Sequence, residues 1–295
     1  MVSLKTILWL MKLSSLSIKI KKDQFAHHIQ NKMIGLFLGS TDFTKKIIEK
    51  VKKNKIKYFI IDLTKNNIFK KDKNSYFISI GKFGRILELI NKKKCKKVLF
   101  AGKIDKPKIS KLKLDLKGIY YIPRIIKASK LGDAAILKEL IKILAENKVN
   151  VIKSNFFNPE LTLPKGNFGK NKPNKHDLVD IQKGVRSLNR LNAYNHIQGL
   201  IIRDGTIIAK ETSKGTKKMI QSVISNKKNQ GILIKFPKKK QDLRADLPTI
   251  GFNTLKDCKK ANIKGIVMKA NQNIFLDKVK CISFANKNRI FIKII

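Results

Sequence analysis

MIGLFLGSTDFTKKIIEKVKKNKIKYFIIDL, residues 33–63, decides the fold. Its first segment, MIGLFLGS, is an apolar run that stops at Gly39-Ser40, as a buried strand running into a turn does. From Asp42 to Asn54 the apolar residues Phe43, Ile47, Ile48 and Val51 recur at helical spacing, and Asp42 fits an N-cap. KYFIIDL (57–63) is a second apolar strand. Two neighbouring parallel strands need a crossover between them, and a helix of this length supplies it.

The pattern repeats outward. GKFGRILELINKKK (81–94) predicts a helix with Ile86, Leu89 and Ile90 facing inward, and KKVLFAGKI (96–104) predicts a third strand. DAAILKELIKILAEN (133–147) reads as a helix with Asp133 as its N-cap, and VNVIKSN (149–155) as the strand after it. The expected fold class is α/β, with a Rossmann-like first domain over residues 33–160 built on a mainly parallel sheet. Ligands of such sheets bind beyond the carboxyl ends of the strands, where Gly39-Ser40, Gly81 to Gly84 (with Lys82) and Gly102-Lys103 stand.

NPELTLPKGNFGKNKPNKHD (158–177) is rich in Pro, Gly, Asn and Lys and reads as a loop with a domain boundary near it. A second α/β domain is expected over 161–295. QGLIIRDGTIIAKE (198–211) is a hairpin around Asp204-Gly205, GTKKMIQSVI (215–224) a helix and GILIKF (231–236) a strand. TLKDCKKANI is a further helix, GIVMKA a strand, and the chain closes on more strand and helix.

Composition narrows the partners. The chain carries 66 Lys and Arg against 20 Asp and Glu, a formal net charge of +46. Only seven of the basic residues are Arg, and the lysines are spread evenly. A nucleic-acid surface would more often cluster its charge and use Arg, so nucleic acid is not the expected partner. The charge still draws the chain to anionic ligands and membrane surfaces. Cys95, Cys258 and Cys281 lie far apart with no CxxC pair, which suits a reducing cytosol and suggests neither a zinc site nor a disulfide framework. The apolar stretch within MVSLKTILWLMKL (1–13) is too short to span a bilayer. Residues 1–32 are expected to be an extension, with Met33 opening the fold.

One segment concentrates charge of both signs. QDLRADL (241–247) follows the strand GILIKF and holds Asp242, Arg244 and Asp246. A carboxylate at a strand's end can hold Mg²⁺ or take a proton from water, and an Arg can clamp a phosphoryl oxygen. The alternative is a salt-bridged surface loop, with Asp242 paired to a nearby Lys. Gly215-Thr216 could offer backbone N–H groups and a hydroxyl to a phosphate, or Thr216 could be an ordinary N-cap. His27, His28, His176 and His196 show no metal-ligand spacing. The chain has no GxGxxG fingerprint, Walker loop, G-x-S-x-G elbow or HExxH.

Taken in order, GKFGRILELI, VLFAGKIDKP, LKGIYYIPRIIKASKLGDAAILKEL, LTLPKGNFG, GTKKM, GILIKF and RADLPTIGFNT resemble the LpxI family of UDP-2,3-diacylglucosamine pyrophosphatases. FAGKIDKP, KLGDAAIL and RADLPTIG are the most specific of these. The resemblance runs from about Met33 to the C-terminus and leaves the first residues outside it. It implies a hydrolase of lipid A biosynthesis that cleaves UDP-2,3-diacylglucosamine to UMP and 2,3-diacylglucosamine 1-phosphate. It implies a divalent metal, Mg²⁺ or Mn²⁺, and substrate held between two α/β domains. It also implies a cytoplasmic enzyme associated peripherally with the inner membrane; the sequence leaves a homodimer open.

In the family, the carboxylate of R-x-D-L-P-T-I-G directs water at the phosphorus on the sugar side, and that position is Asp246 here. The resemblance therefore implies Asp246 and Arg244 as the catalytic residues, with Asp246 also the metal ligand. The candidate substrate-binding residues are Gly39, Ser40, Gly81, Lys82, Gly102, Lys103, Asp133, Gly215, Thr216 and Lys235. The chain departs from the family at E-G-T-D-A-M, which reads Lys214-Gly215-Thr216-Lys217-Lys218-Met219, and at K-G-D-D-A, which reads Leu131-Gly132-Asp133-Ala134-Ala135. A second reading, of another class, is a non-catalytic basic module that binds nucleotide-lipid or nucleic acid. Lys217 is its support, and the absence of an RNP, KH or helix-turn-helix signature counts against it.

Overall fold

The computed structural model of the chain describes residues 32–104, 111–195, 197–223, 230–239 and 241–295. Residues 1–31 of the expected extension, with His27 and His28, and also His196 and the Asp105 to Pro107 end of FAGKIDKP lie outside the described residues. Two compact units emerge. One holds the described residues up to Pro123 together with Ile143–Ile152, and the other holds Arg124–Lys142 and Lys153–Ile295.

The first unit is built on strands β1 (Ile34–Leu38), β2 (Tyr58–Asp62), β3 (Ser75–Phe77), β4 (Lys97–Ala101) and β5 (Asn150–Ile152). They form one sheet in the order β3-β2-β1-β4-β5, and every pair is parallel. All five residues of β1 and of β2 are buried, because a central parallel strand is covered on both faces. Helix α1 (Asp42–Lys53) joins β1 to β2 and buries Phe43, Thr44, Ile47 and Val51. Helix α2 (Phe83–Lys92) precedes β4 and buries Ile86, Leu87 and Ile90. Helices α3 (Leu116–Ser129) and α4 (Asp133–Glu146) follow β4.

Three local expectations are corrected. Thr41, in extended backbone, is the N-cap of α1, and Asp42 is its first helical residue. Leu87 rather than Leu89 is buried in α2, beside Ile86 and Ile90 on the inner face. At α4 the carbonyl of Gly132 (φ +98°) accepts the amide of Ile136, so Gly132 takes the N-cap place and Asp133 opens the helix.

The second unit has a mixed sheet of β6 (Gly166–Phe168), β7 (Gly199–Arg203), β8 (Thr206–Lys210), β9 (Gly231–Lys235), β11 (Ile263–Met268) and β13 (Phe291–Ile294), in the order β6-β13-β11-β9-β7-β8. β9, β11 and β13 run parallel, while β6, β7 and β8 pair antiparallel. Asp204 and Gly205 both have positive φ, as a two-residue hairpin turn between β7 and β8 requires.

Period-two alternation divides this sheet's side chains between two cores. Ile201, Leu233, Ile266 and Ile292 pack with Met219 and Ile220 of α6 (Gly215–Gln221), Leu255 and Cys258 of α7 (Phe252–Lys260), and Cys281 and Ala285 of α8 (Lys278–Lys287). Leu200, Ile202, Ile232, Ile234 and Phe291 pack on the other face with Ile181 and Leu188 of α5 (Lys175–Asn195). A short parallel pair, β10 (Thr249–Ile250) and β12 (Ile274–Phe275), anchors the segment after β9.

The segment expected to be loop, 158–177, contributes edge strand β6, whose Gly166, Asn167 and Phe168 pair with β13. Helix α5 is not anticipated by the sequence reading. Its inner face carries Asp177, Asp180 and Gly184 among Ile181 and Leu188, which masks the apolar period. Asp180 accepts the amide of Gly205 (2.6 Å), and Asp177 accepts the amide of Asn174 (2.9 Å) and ion-pairs with Lys264 (2.7 Å), so those buried acids are compensated by the hairpin, the helix start and a neighbouring strand.

Candidate active site

In the first sheet the strand order reverses between β1 and β4, the place where parallel sheets open a crevice at their carboxyl ends. Gly39, Ser40, Gly102 and Lys103 meet there. The amides of Gly39 and Ser40 donate to Ala101 O (2.9 Å) and Lys103 O (3.0 Å). A Cβ on Gly39 would lie 2.2 Å from Lys103 O, and one on Gly102 would lie 2.8 Å from Gly39 O. The two glycines therefore let the loops touch backbone to backbone. Ser40 and Lys103 are exposed on that edge.

Gly81 and Lys82 follow β3 and lead into α2. The amides of Gly84 and Arg85 donate to Asp115 (3.0 and 3.1 Å), and so does Gly118 N–H at the start of α3 (2.8 Å). One carboxylate thus serves two helix N-termini. Partial burial opposes its charge, but the three N–H donors hold its pKa below the ordinary carboxylate value. The α2 amides that could have met a phosphate face Asp115 instead.

The second unit gathers Thr216, Lys235 and Asp246. Lys235 closes β9 and is only 5% exposed. Its ammonium donates to the Thr216 hydroxyl and lies 3.5 Å from Glu211 Oε1. Glu211, just past β8, is also buried; it accepts from Thr216 Oγ1 (2.9 Å) and Gln198 Nε2 (3.4 Å). Burial pushes the Lys235 pKa down, and the charges of Glu211 and Asp246 push it back. Thr216 is not the N-cap of α6: Lys214 is, and Gly215 (φ +82°) opens the helix.

The loop after β9 presents Asp246. Asp242 O accepts the amides of both Ala245 and Asp246 (3.1 Å each), which folds QDLRADL into a tight turn. Lys238 and Gln241 bracket its entrance, with Lys238 N–H donating to Gln241 Oε1 (2.8 Å). Asp246 keeps solvent access, yet the protein crowded around it pushes its carboxyl above the ordinary range. Lys238, Gln241 and Lys235 pull the other way. The result is an acid flanked by two lysines at the carboxyl end of β9.

Arg244 bonds to Asp242. Its guanidinium grips Asp242, Nη2 to Oδ2 at 2.7 Å and Nε to Oδ1 at 3.0 Å. Asp242 is therefore paired to Arg244, and this hydrogen-bonded pair, with the Lys138 charge adding to it, holds its pKa low. Asp133 opens α4.

Sequence reasoning did not single out Glu211, Lys238, Gln241 or Asp115. Glu211 left one signal: it is an acid ending an apolar alternating strand in a chain with few acids. Among the described residues, no group of three or more His, Cys, Asp and Glu is placed to hold a metal ion.

Comparison with known proteins agrees with these segments. Residues 33–161 match the LpxI N-terminal domain, and residues 164–293 match the LpxI C-terminal domain. The chain is 29% identical over 223 residues to the UDP-2,3-diacylglucosamine pyrophosphatase LpxI of Caulobacter vibrioides, covering 73% of this chain and 80% of that protein. With both domain families matched in order along nearly the whole described chain, this protein belongs to the LpxI family.

Proposed function

We propose that the chain hydrolyses the diphosphate of UDP-2,3-diacylglucosamine, releasing UMP and 2,3-diacylglucosamine 1-phosphate for lipid A synthesis. The observation that carries this reading is Asp246. It is a solvent-accessible carboxyl with a raised pKa, set beside Lys235 and Lys238 at a strand's carboxyl end. Its relative from Caulobacter vibrioides bears the name of this activity.

In this reading Asp246 orients a water and takes its proton, a task that a raised pKa favours. The water oxygen bonds to the sugar-side phosphorus. The bond from that phosphorus to the bridging oxygen breaks, and UMP leaves with the electron pair. Lys235 and Lys238 meet the phosphoryl oxygens, whose charge spreads in the transition state. Arg244 holds the turn that carries Asp246. In this reading Gly39, Ser40, Gly81, Lys82, Gly102 and Lys103 are the substrate-binding residues of the first unit, and Gly81 also accepts the Asp115 amide.

Asp246 offers one carboxylate to Mg²⁺ or Mn²⁺. That fits a hard cation that takes one or two protein carboxylates and completes its shell with substrate phosphate and water. When bound, such an ion would neutralise charge on the phosphoryl oxygens. The basic surface would draw the enzyme to the anionic cytoplasmic face of the membrane where a diacylated substrate resides. Among the described residues no helix is long and apolar enough to cross that membrane.

Hydrolysis in ¹⁸O-water tests the chemistry. The label is expected in 2,3-diacylglucosamine 1-phosphate. Label in UMP would place the attack on the other phosphorus and overturn the geometry given to Asp246.

A further inference from the structure

Glu211 performs no step in the reaction just described, yet it is the hub of a polar cluster with Thr216, Gln198 and the buried Lys235. Its Oε1 accepts from Thr216 Oγ1 (2.9 Å) and Gln198 Nε2 (3.4 Å), and it pairs with Lys235 Nζ (3.5 Å). Its Oε2 is buried and has no hydrogen-bond partner among the described residues. Leaving a buried carboxylate oxygen unpaired is unfavourable, so the arrangement calls for a reason beyond folding.

Space for that carboxylate is made on the neighbouring strand. A Cβ on Gly199, the first residue of β7, would lie 2.6 Å from Glu211 Oε2. The Glu211 amide also donates to Gly199 O (2.8 Å), which fixes where the side chain starts. Gly199 is thus the residue that admits the carboxylate, and Glu211 is what occupies the opening.

Lys235 has three ammonium donors. Thr216 takes one and Glu211 engages a second, which leaves a third for a ligand oxygen. A lysine on a flexible stem is a poor electrostatic catalyst unless something fixes its head. The pair with Glu211 and Thr216 does so, at the end of β9 where the Lys235 and Asp246 charges interact.

We propose that Glu211 is a positioning residue for phosphoryl transfer: seated in the space left by Gly199, it holds the Lys235 ammonium, through Thr216 and directly, on the phosphoryl oxygen at the reacting phosphorus. This rests on the hydrolase reading above. It adds a residue that acts only through Lys235.

The test is a set of four proteins: parent, Glu211→Gln, Lys235→Gln and the double variant. Each is assayed for kcat and KM with UDP-2,3-diacylglucosamine and for melting temperature. Glu211→Gln is expected to lose about 10²-fold in kcat, the scale of losing one preorganised charge stabiliser, with KM changed by less than about threefold. The double variant is expected to be no slower than Lys235→Gln alone, because the two act as one unit.

Gly199→Ala supplies a variant that displaces the carboxylate without removing any polar group, and it is expected to show the same kcat loss. Where Glu211→Gln does not fold, Gly199→Ala and Glu211→Asp carry the comparison. Full turnover by a folded Glu211→Gln or Gly199→Ala protein would overturn the proposal. So would losses in the double variant that multiply, since that is the behaviour of a purely structural contact. Absence of UMP release by the parent would instead sink the hydrolase reading itself.

Discussion

Arg244 and Asp242 are locked together in the loop after β9. Two guanidinium nitrogens reach the two carboxylate oxygens at 2.7 and 3.0 Å, and the Arg244 amide adds a third bond to Oδ1 at 2.9 Å. The same Asp242 receives the Asp246 amide on its carbonyl. A pair two residues apart thus fixes the turn from which Asp246 projects. Arg244 also anchors the loop from outside, since its carbonyl accepts the Ser154 amide (2.6 Å).

This arrangement predicts how Arg244 variants behave. The pair is partly exposed, so Arg244→Ala should lower stability by no more than about 1 kcal/mol. Its kcat should fall by about 10- to 10²-fold through loosened placement of Asp246. Arg244→Lys should not rescue it, because an ammonium cannot grip two oxygens as a fork does. A kcat loss as deep as that of Asp246→Ala would show that Arg244 touches substrate.

Asp115 should matter to stability rather than turnover. It caps α2 and α3 with three backbone bonds, so Asp115→Ala is expected to cost roughly 1–2 kcal/mol in thermal or urea unfolding. The pH dependence has a defined sign. The folded pKa is depressed, so the contribution is complete above the unfolded value of about 3.9 and is lost as pH falls through the lower folded value. The stability gap between parent and variant should therefore close in acid. A gap that widened with acidification would contradict the capping role.

The glycines of the two phosphate-loop candidates should respond differently. In Gly39→Ala the new Cβ meets the backbone of Lys103 at 2.2 Å, which cannot be relieved by a side-chain rotation. A loss of about 2–3 kcal/mol is expected. Gly215 has φ +82° but nothing within 4 Å of a Cβ, so Gly215→Ala should show only left-handed backbone strain of about 1–2 kcal/mol. Equal melting temperatures for the two variants would contradict the close contact at Gly39.

The fold was largely legible because the first sheet is written in continuous apolar runs. MIGLFLGS and KYFIIDL admit little but buried parallel strands. Helix α5 was hidden because acids satisfied by distant partners sit on its inner face, and no local pattern announces such partners. The site was legible in one element only. The acid-rich turn after β9 stands out against the lysine background, whereas Glu211 joins it only when β8 and β9 come together across β7 in the sheet. Arg244 looked like a neighbour of Asp246 by sequence, and its guanidinium is engaged by Asp242.

The three cysteines give a check on the core. Cys95, Cys258 and Cys281 are buried and free, and burial raises their thiol pKa values, that of Cys281 to about 12. At pH 8 the thiolate fraction is small, so the native protein should resist alkylation until it is unfolded. Rapid native labelling at Cys258 or Cys281 would contradict the packing of α7 and α8 on the second sheet.

The most direct measurement is UMP release from UDP-2,3-diacylglucosamine by purified parent and Asp246→Ala proteins, with Mg²⁺ or Mn²⁺ present and the fold of both checked by melting. The account predicts turnover in the parent and a loss of about 10³-fold or more in the variant at near-parental stability. Parental turnover by a folded Asp246→Ala protein would contradict it.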